Sequence, residues 1–508
     1  MSVSSGTSSP LSAASMIGGC SSAAVRDARV IRCETVRPPS TTSRLELGPL
    51  DGFNMRLWYI ESTHFFPGKL DAVAVRSSLE GLLARYPSFA GRVKRTCSHN
   101  DGGAQVERRT EPKNVWVGYE VVVDESSGIP LLEIALSGTS KVAANDRALW
   151  HSRGLANIPA LSEVINGAEE TMEDQAPPLM TVVLADFAEG GSALAVAINH
   201  GLVDGKGYAE LLKTWSRAHC LGWDHSDVPA LEVKRPQCLL HSTVAPTSGD
   251  LFCDTRTQLG CEAFCKTTEP AIRSSSGRAR ARIYFSWAEL RAFKASTSYN
   301  GQRKKETPTS TEALAARVWC AFSKLLLPPS PTRWAIQPWM MTQMRSPRHS
   351  EIPRTFLGNC VQGLYSPAIQ VDDQASDLRT LLCTGFHDAG ALMADDEVSK
   401  SAMAEKLSQK ISNFQAGVWG SPTPQRTEKG VGVNAMQSFR VFGLDFGAGN
   451  ALGYIPNNLG SNIQIEETVG GVNVLLQVPH WAASTAPSDW LEQVESPSFR
   501  CCVTKNLV

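Results

Sequence analysis

The stretch from Leu179 to Trp215 limits the fold of this chain more than any other. Met180, Val182, Val183 and Leu184 form one apolar run, Gly190 and Gly191 mark a turn, and Leu194, Val196 and Ile198 form a second run. Two apolar runs joined by a glycine turn predict a β-hairpin. Its second strand ends on Asn199, His200, Gly201, Leu202, Val203, Asp204 and Gly205, after which Tyr208, Leu211, Leu212 and Trp215 fall at helical spacing. The hairpin thus delivers His200 to a strand-to-helix junction. Asp204 lies four residues on, and Gly201 and Gly205 allow sharp turns or the close approach of a ligand.

Before the hairpin, residues 28–34 read as extended, and Met55, Leu57, Tyr59 and Ile60 as a strand broken by Phe65, Phe66 and Pro67. Leu70, Val73, Val75, Leu79, Leu82 and Leu83 carry a helical stripe that ends near Tyr86, because a residue preceding proline is pushed out of the α region. Strands are expected from Ala90 through Val93, at Gln105–Arg108, at Val115–Val123 and around Pro130–Leu132. The acidic, proline-punctuated run 160–178 reads as a surface loop, and 221–260, with Pro229, Pro236 and Pro246, as a crossover.

The second half opens on a strand with one wet face, 278–285. Ser286 and Glu289 then form a capping box, and Pro308, Thr309 and Glu312 start another helix bearing Ala313, Leu314, Val318, Trp319 and Phe322. Trp334–Thr342 reads as a strand, Leu378–Phe386 and Leu392–Ile411 as helices, and Phe439–Phe442, Ile463–Ile465 and Val472–Val478 as strands. Alternating strands and helices in both halves predict an α/β sandwich on each side of one interface. The expected division is a disordered tail over 1–27, a first domain over 28–225, a crossover linker over 226–277 and a second domain over 278–500.

Composition removes several function classes. At 508 residues with 42% hydrophobic and 19% charged residues, the chain can bury sizeable cores, and a net charge of -1 gives no bulk attraction to nucleic acid. No apolar run approaches the roughly 20 residues of a membrane span. The thirteen cysteines lack zinc-finger spacing: Cys261 and Cys265 have no second pair, and Cys501 and Cys502 are adjacent. An odd count without a secretory signal predicts reduced thiols and a cytoplasmic chain. The Ser-, Ala- and Gly-rich start holds no base before Arg26, which favours a disordered tail over an organelle-targeting segment.

Histidine suits proton transfer near neutral pH, since its ordinary pKa of about 6.5 leaves it largely neutral and basic. His200 ends an apolar strand, where a polar group is costly to bury without purpose. Asp204 either orients the imidazole or pairs with an arginine to hold the turn. As a metal pair the two lack a third ligand, because His219 lies too far along the helix. No Gly-x-Ser-x-Gly elbow offers a covalent nucleophile, and no Gly-x-Gly-x-x-Gly marks a dinucleotide. Direct attack by a substrate with His200 as general base needs the fewest parts. Arg303, Lys304 and Lys305 precede a helix start and form a candidate phosphate seat, with Ser310 as a further cofactor-binding candidate. Arg345, Arg348 and Arg354 form a second basic loop, from which one arginine is expected to pair with Asp204 or Asp445.

Taken in order, these residues resemble the BAHD acyltransferases of plants and fungi from about Arg32 to Val494. His200, Asp204 and Gly205 match the His-x-x-x-Asp-Gly motif. Asp445, Phe446, Gly447, Ala448 and Gly449 match Asp-Phe-Gly-Trp-Gly, with Ala448 in place of tryptophan. Tyr86–Pro87 with Ala90–Gly91–Arg92, Ser310 and Glu312, then Phe356, Gly358 and Asn359, and Gly470–Gly471 agree as well. The resemblance implies two similar chloramphenicol-acetyltransferase-like domains with mixed sheets flanked by helices and a tunnel between them. It implies acyl-CoA as a co-substrate with no permanently bound cofactor, a small hydroxylated or amine acceptor, and a monomer. In this reading His200 deprotonates the acceptor, while Asp204 and Asp445 shape loops, Asp445 by tying one to an arginine. Relatives place Thr and Trp where this chain has Asn434 and Met436; the Asn434 amide retains an oxyanion donor, and Met436 does not. A condensation-type enzyme shares the fold but carries two adjacent histidines, the first replaced here by Asn199. A noncatalytic relative is the remaining alternative.

Overall fold

The computed structural model describes residues 29–39, 42–55, 59–96, 118–141 except 137, 178–244 except 243, 280–297, 308–326, 334–346, 349–365, 369–371, 378–390, 397–415, and 428–504 with breaks at 437–438, 440, 442, 458–462, 469 and 479–485. The expected tail over 1–27, the strand at Gln105–Arg108, nearly all of the 160–178 loop, most of the crossover, Arg348 and the cluster Arg303, Lys304 and Lys305 lie outside them.

The first half contributes β1 (Arg29–Val36), β2 (Ser43–Leu47), β3 (Tyr59–Phe66), β4 (Arg92–Thr96), β5 (Gly118–Val123), β6 (Ile129–Leu136), β7 (Met180–Phe187) and β8 (Ser192–Asn199). The predicted hairpin is β7 and β8, paired from Met180↔Ile198 to Asp186↔Ser192. It sits inside a six-stranded sheet, flanked by β6 on one side and β3 on the other, so every residue of β8 is buried. Leu194, Val196 and Ile198 enter the first core, and alternation sends the small Ala193, Ala195 and Ala197 to the opposite face.

Helices α1 (Pro49–Met55), α2 (Ala72–Arg85) and α3 (Gly205–Leu221) follow in chain order. The Asp71 carboxylate accepts from the amides of Val73 at 2.9 Å and Ala74 at 3.2 Å and so starts α2, which stops before Pro87 as its sequence requires. α2 buries Val75, Leu79, Leu82 and Leu83, and α3 buries Leu211, Leu212 and Trp215, all in the same core. Each such side chain contributes roughly 1.5–3 kcal/mol of transfer free energy.

The second half holds β9 (Ala281–Ser286), β10 (Trp334–Gln343), β11 (Val361–Tyr365), β12 (Ile369–Val371), β13 (Glu428–Ala435), β14 (Gly453–Asn457), β15 (Ile463–Thr468) and β16 (Gly471–Leu476), with helices α4 (Trp287–Ala295), α5 (Ser310–Leu326), α6 (Leu378–Gly390) and α7 (Glu397–Gln415). Its sheet runs β11, β10, β13, β15, β16, β9, with β12 also on β10. The parallel pairs β10 with β13 and β13 with β15 make it mixed. The Ser286–Glu289 capping box forms as read, and Thr309 and Glu312 make the same reciprocal bonds at α5. Among the described residues no helix is long and apolar enough to cross a membrane.

Four local readings change. Met55 closes α1 rather than opening a strand, and β3 runs through Phe65 and Phe66, which are fully buried instead of breaking it. Residues 87–90 form a turn of 3₁₀-helix, so the next strand starts at Arg92. The expected strand at 439–442 is absent among the described residues, and β13 ends at Ala435. Beyond it Gly443, Gly447 and Gly449 take φ of 91°, 80° and 84°, a left-handed backbone that glycine accommodates and a strand does not.

One strand of the second half lies in the first sheet. β14 pairs antiparallel with β3 from Gly453↔Phe65 to Asn457↔Glu61, and closes the order β1, β6, β7, β8, β3, β14. The two sheets therefore do not draw on two contiguous stretches of chain.

Candidate active site

His200 follows β8 directly. Asn199 shapes the exit, its side-chain oxygen accepting from Gly201 N at 2.8 Å and its carbonyl from Leu202 N at 2.9 Å. The half-buried imidazole meets the second half through Asn359. That amide donates through Nδ2 to the His200 carbonyl at 2.5 Å and to Asp51 Oδ1 at 3.0 Å. With Nδ2 committed to two acceptors, Oδ1 is the atom facing His200 Nδ1, at 2.9 Å. An oxygen acceptor there selects the Nδ1–H tautomer, which puts the ring's basic lone pair on Nε2. Burial holds the His200 pKa below its ordinary value; Asp204, the Asn359 hydrogen bond and Asp51 oppose that shift without cancelling it.

Asn359 is itself anchored. Asp51, 2% exposed, accepts from Asn359 N at 3.3 Å, from Gly48 N at 3.0 Å and from Arg235 Nε at 2.9 Å. Arg235 also donates to the carbonyls of Gly201 at 3.1 Å and Leu202 at 3.0 Å, on either side of the turn after His200. A chain of buried hydrogen bonds from α1 through residue 359 thus fixes the imidazole. Asp51 and Arg235 have no local sequence signature, because each meets its partners only across the folded chain.

Asp204 points away from this network and is fully buried. It caps α3 by accepting from Gly207 N at 2.8 Å, and pairs with Arg345 in two bonds of 2.9 and 2.8 Å. Arg345 is the arginine that the basic loop supplies. Its guanidinium also reaches the carbonyls of Phe356 at 2.6 Å and Gly358 at 3.1 Å, so every part of the fork is used. Burial disfavours the Arg345 charge, but Asp204 outweighs it and raises the pKa. Cys360 donates to Asp204 through N at 3.3 Å and Sγ at 3.6 Å, and burial pushes its thiol well up, which leaves no thiolate to act as a nucleophile.

The same seam explains Gly207. A Cβ there would lie 1.9 Å from the Leu357 carbonyl oxygen. Gly207→Ala is expected to destabilise the protein by about 1–3 kcal/mol, since overpacking against backbone exceeds the gain in helix propensity of about 1 kcal/mol. The urea midpoint reads the change; an unchanged or higher midpoint would mean that α3 and the 357 segment are not in rigid contact.

The other candidates lie elsewhere. Asp445 sits beside the far half of α3: its backbone N–H donates to Ser216 Oγ at 2.9 Å, its carbonyl accepts from the same hydroxyl at 2.7 Å, and its carboxylate accepts from Gly447 N at 2.8 Å. Ser216 is twelve residues, about 18 Å of helix, from Asp204. Among the described residues no arginine pairs with Asp445, contrary to the sequence expectation; a turn amide takes that place. Asn434 lies on β13 beside Gln464 of β15, and Met436 comes within 3.9 Å of the space over Gly205. Ser310 opens α5, but Glu312 already brings a carboxylate to that terminus, so the helix end adds little attraction for a phosphate. No group of three or more His, Cys, Asp or Glu among the described residues has the geometry of a metal site.

A sequence model described as Transferase family matches residues 142–479, well over half of the chain. The chain belongs to the BAHD acyltransferases. No curated protein matches it by sequence. Among solved structures, vinorine synthase shares 15% identity over 92% of this chain and 98% of its own, with a TM-score of 0.54. TRI101 of F. graminearum in complex with ethyl coenzyme A shares 13% over 89% and 99%, with a TM-score of 0.60, and the same enzyme with coenzyme A and T-2 mycotoxin shares 14% over 89% and 98%, at 0.58. At these identities the likeness is one of fold. It agrees with the two-domain, chloramphenicol-acetyltransferase-like architecture expected from sequence. As a BAHD member, the chain is an acyltransferase.

Proposed function

We propose that this BAHD acyltransferase moves an acyl group from an acyl-coenzyme A thioester to a hydroxyl or amine of a small molecule, with His200 as general base. The observation that carries the proposal is the imidazole held by Asn359 in the Nδ1–H tautomer, with a pKa lowered by burial. The acceptor gives its proton to Nε2 while its oxygen or nitrogen attacks the thioester carbon. The tetrahedral oxyanion then collapses, the C–S bond breaks, and the imidazolium returns the proton to the departing thiolate. Base assistance of this kind is worth about 10²–10⁴ in rate. Asn434, at the end of β13, is the proposed oxyanion donor, worth a further factor of about 10²–10³. Arg303, Lys304 and Lys305 are the proposed contacts of the donor's phosphates, with Ser310 contributing a hydroxyl only. Asp204 acts as a brace for the histidine turn through Arg345.

The test is release of free thiol from acyl-CoA in the presence of hydroxylated and amine acceptors, with product mass to identify the bond made. Its pH profile carries a signed prediction. Because burial lowers the His200 pKa, the neutral base persists below pH 6.5, and kcat/KM should stay level through neutrality and fall as pH drops through the lowered value. An acid limb centred above 7 would assign the base to another group.

A further inference from the structure

The second sheet has one apolar and one polar face, and both are buried around β15. Val433, Ile463, Ile465, Val472 and Val474 enter the second core. Alternation turns Gln464, Glu466 and Asn473 the other way, with Glu466 paired to Asn473 across β15 and β16. A polar sheet face is ordinarily wet, yet Gln464 and Glu466 are 3% and 1% exposed. They are covered because this face looks toward the first half. Gln464 Nε2 bonds Glu466 Oε1 and reaches Met436 Sδ at 3.3 Å, and Met436 abuts Gly205 in the first turn of α3, five residues after His200.

Tyr454 approaches from the exchanged strand β14. Its ring stacks on His64 with centroids 5.5 Å apart and packs with Ala209 of α3 and Val441. Its hydroxyl and Glu466 Oε2 are both buried with no hydrogen-bond partner among the described residues. Burial, then Glu466 and Glu467, raise the Tyr454 pKa, and burial pushes Glu466 up to about 8 against Arg280 and Arg282. At neutral pH both groups are therefore protonated donors. Two buried donors left without acceptors, packed against the first turns of the helix that follows His200, are what a site for an oxygen-bearing ligand looks like when closed.

We propose that Tyr454 Oη and the Glu466 carboxyl hold a second oxygen function of the acceptor, so that the enzyme favours acceptors with at least two such groups, one acylated at His200 and one bound at this seam. The inference rests on the acyl-transfer reading above. Both atoms are enclosed, so the acceptor reaches them as the seam between β14 and β15 parts, and its oxygen supplies the bonds that the closed seam leaves unmade.

Benzyl alcohol and its para-hydroxymethyl analogue, each with acetyl-CoA, offer the same nucleophile and differ only in a remote hydroxyl. The native enzyme should prefer the diol by at least about tenfold in kcat/KM beyond the statistical factor of two. Tyr454→Phe and Glu466→Met should bring the ratio to about two with the KM for acetyl-CoA unchanged, and Glu466→Gln, which keeps a donor, should restore the preference. Tyr454→Phe removes a hydroxyl that makes no hydrogen bond to the described residues, and Glu466→Met takes the Oε1 acceptor from Gln464 Nε2 but leaves it Met436 Sδ, so both variants are expected to fold, the second with the larger loss of stability. A native enzyme without the preference, or variants that keep it, overturns the proposal and leaves the groups as internal packing. If no thiol is released with either alcohol, the acyl-transfer reading fails for these acceptors and thermal shift decides the seam. A Tm rise with the diol in the native protein that is lost in Tyr454→Phe supports recognition, and equal or absent shifts overturn it.

Discussion

Replacing His200 with alanine is expected to lower kcat/KM for acyl transfer by about 10²–10⁴-fold while shifting stability little. The side chain is only half buried and its ring is neutral, so its removal strands no charge. The main structural loss is one hydrogen bond, from Nδ1 to Asn359, worth about 1 kcal/mol. Residual transfer should come from substrate binding and the oxyanion contact. Steady-state kinetics together with a thermal melt separate the two effects, and a variant that turned over at the parental rate would remove His200 from the mechanism. Asn359→Ala offers a graded companion: the base remains but its tautomer and aim are released, so kcat should fall less than for His200→Ala.

Asp204→Asn is expected to cost about 3–5 kcal/mol of stability, the largest thermodynamic effect of any single change considered. Asparagine still caps a helix about as well as aspartate, so the loss isolates the charge. Arg345, 1% exposed, would be left as a buried cation with its two bonds to the carboxylate weakened. Arg345→Met in the same background should recover part of the loss, because it removes the stranded charge, and the non-additivity measured by urea unfolding gives the coupling. A loss below about 1 kcal/mol would place the pair among weak surface bridges. Activity should fall with stability in these variants, since the turn they brace carries the histidine.

The hairpin, the histidine at its exit and the capped helices were legible because each depends on residues a few positions apart: apolar alternation around Gly190–Gly191, Ser286 with Glu289, Thr309 with Glu312. That an arginine would pair with Asp204 was also legible, but its identity was not, since Arg345 and Arg354 look alike in sequence and only the fold brings one to the start of α3. Asp51 and Arg235 were missed outright. Nothing in their neighbours marks an acid and a base that lie 184 positions apart and meet only in the folded chain. The strand read at 439–442 failed for a different reason: Val441 is buried in a small apolar cluster and Phe439 packs against it, but the glycine turns that follow forbid extension.

The exchanged strand also has a consequence for how the chain is made. β3 is complete once residue 66 has been synthesised, but its neighbour β14 arrives about 390 residues later. At roughly 5–20 residues per second the ribosome needs on the order of 20–80 s to supply it. During that interval β3 offers one unpaired edge with Tyr59 and Ile60 at one end and Phe65 and Phe66 at the other, a template for wrong strand pairing. Rapid synthesis or chaperone cover should therefore raise the soluble yield, and a first half expressed without residues 453–457 should accumulate as aggregate.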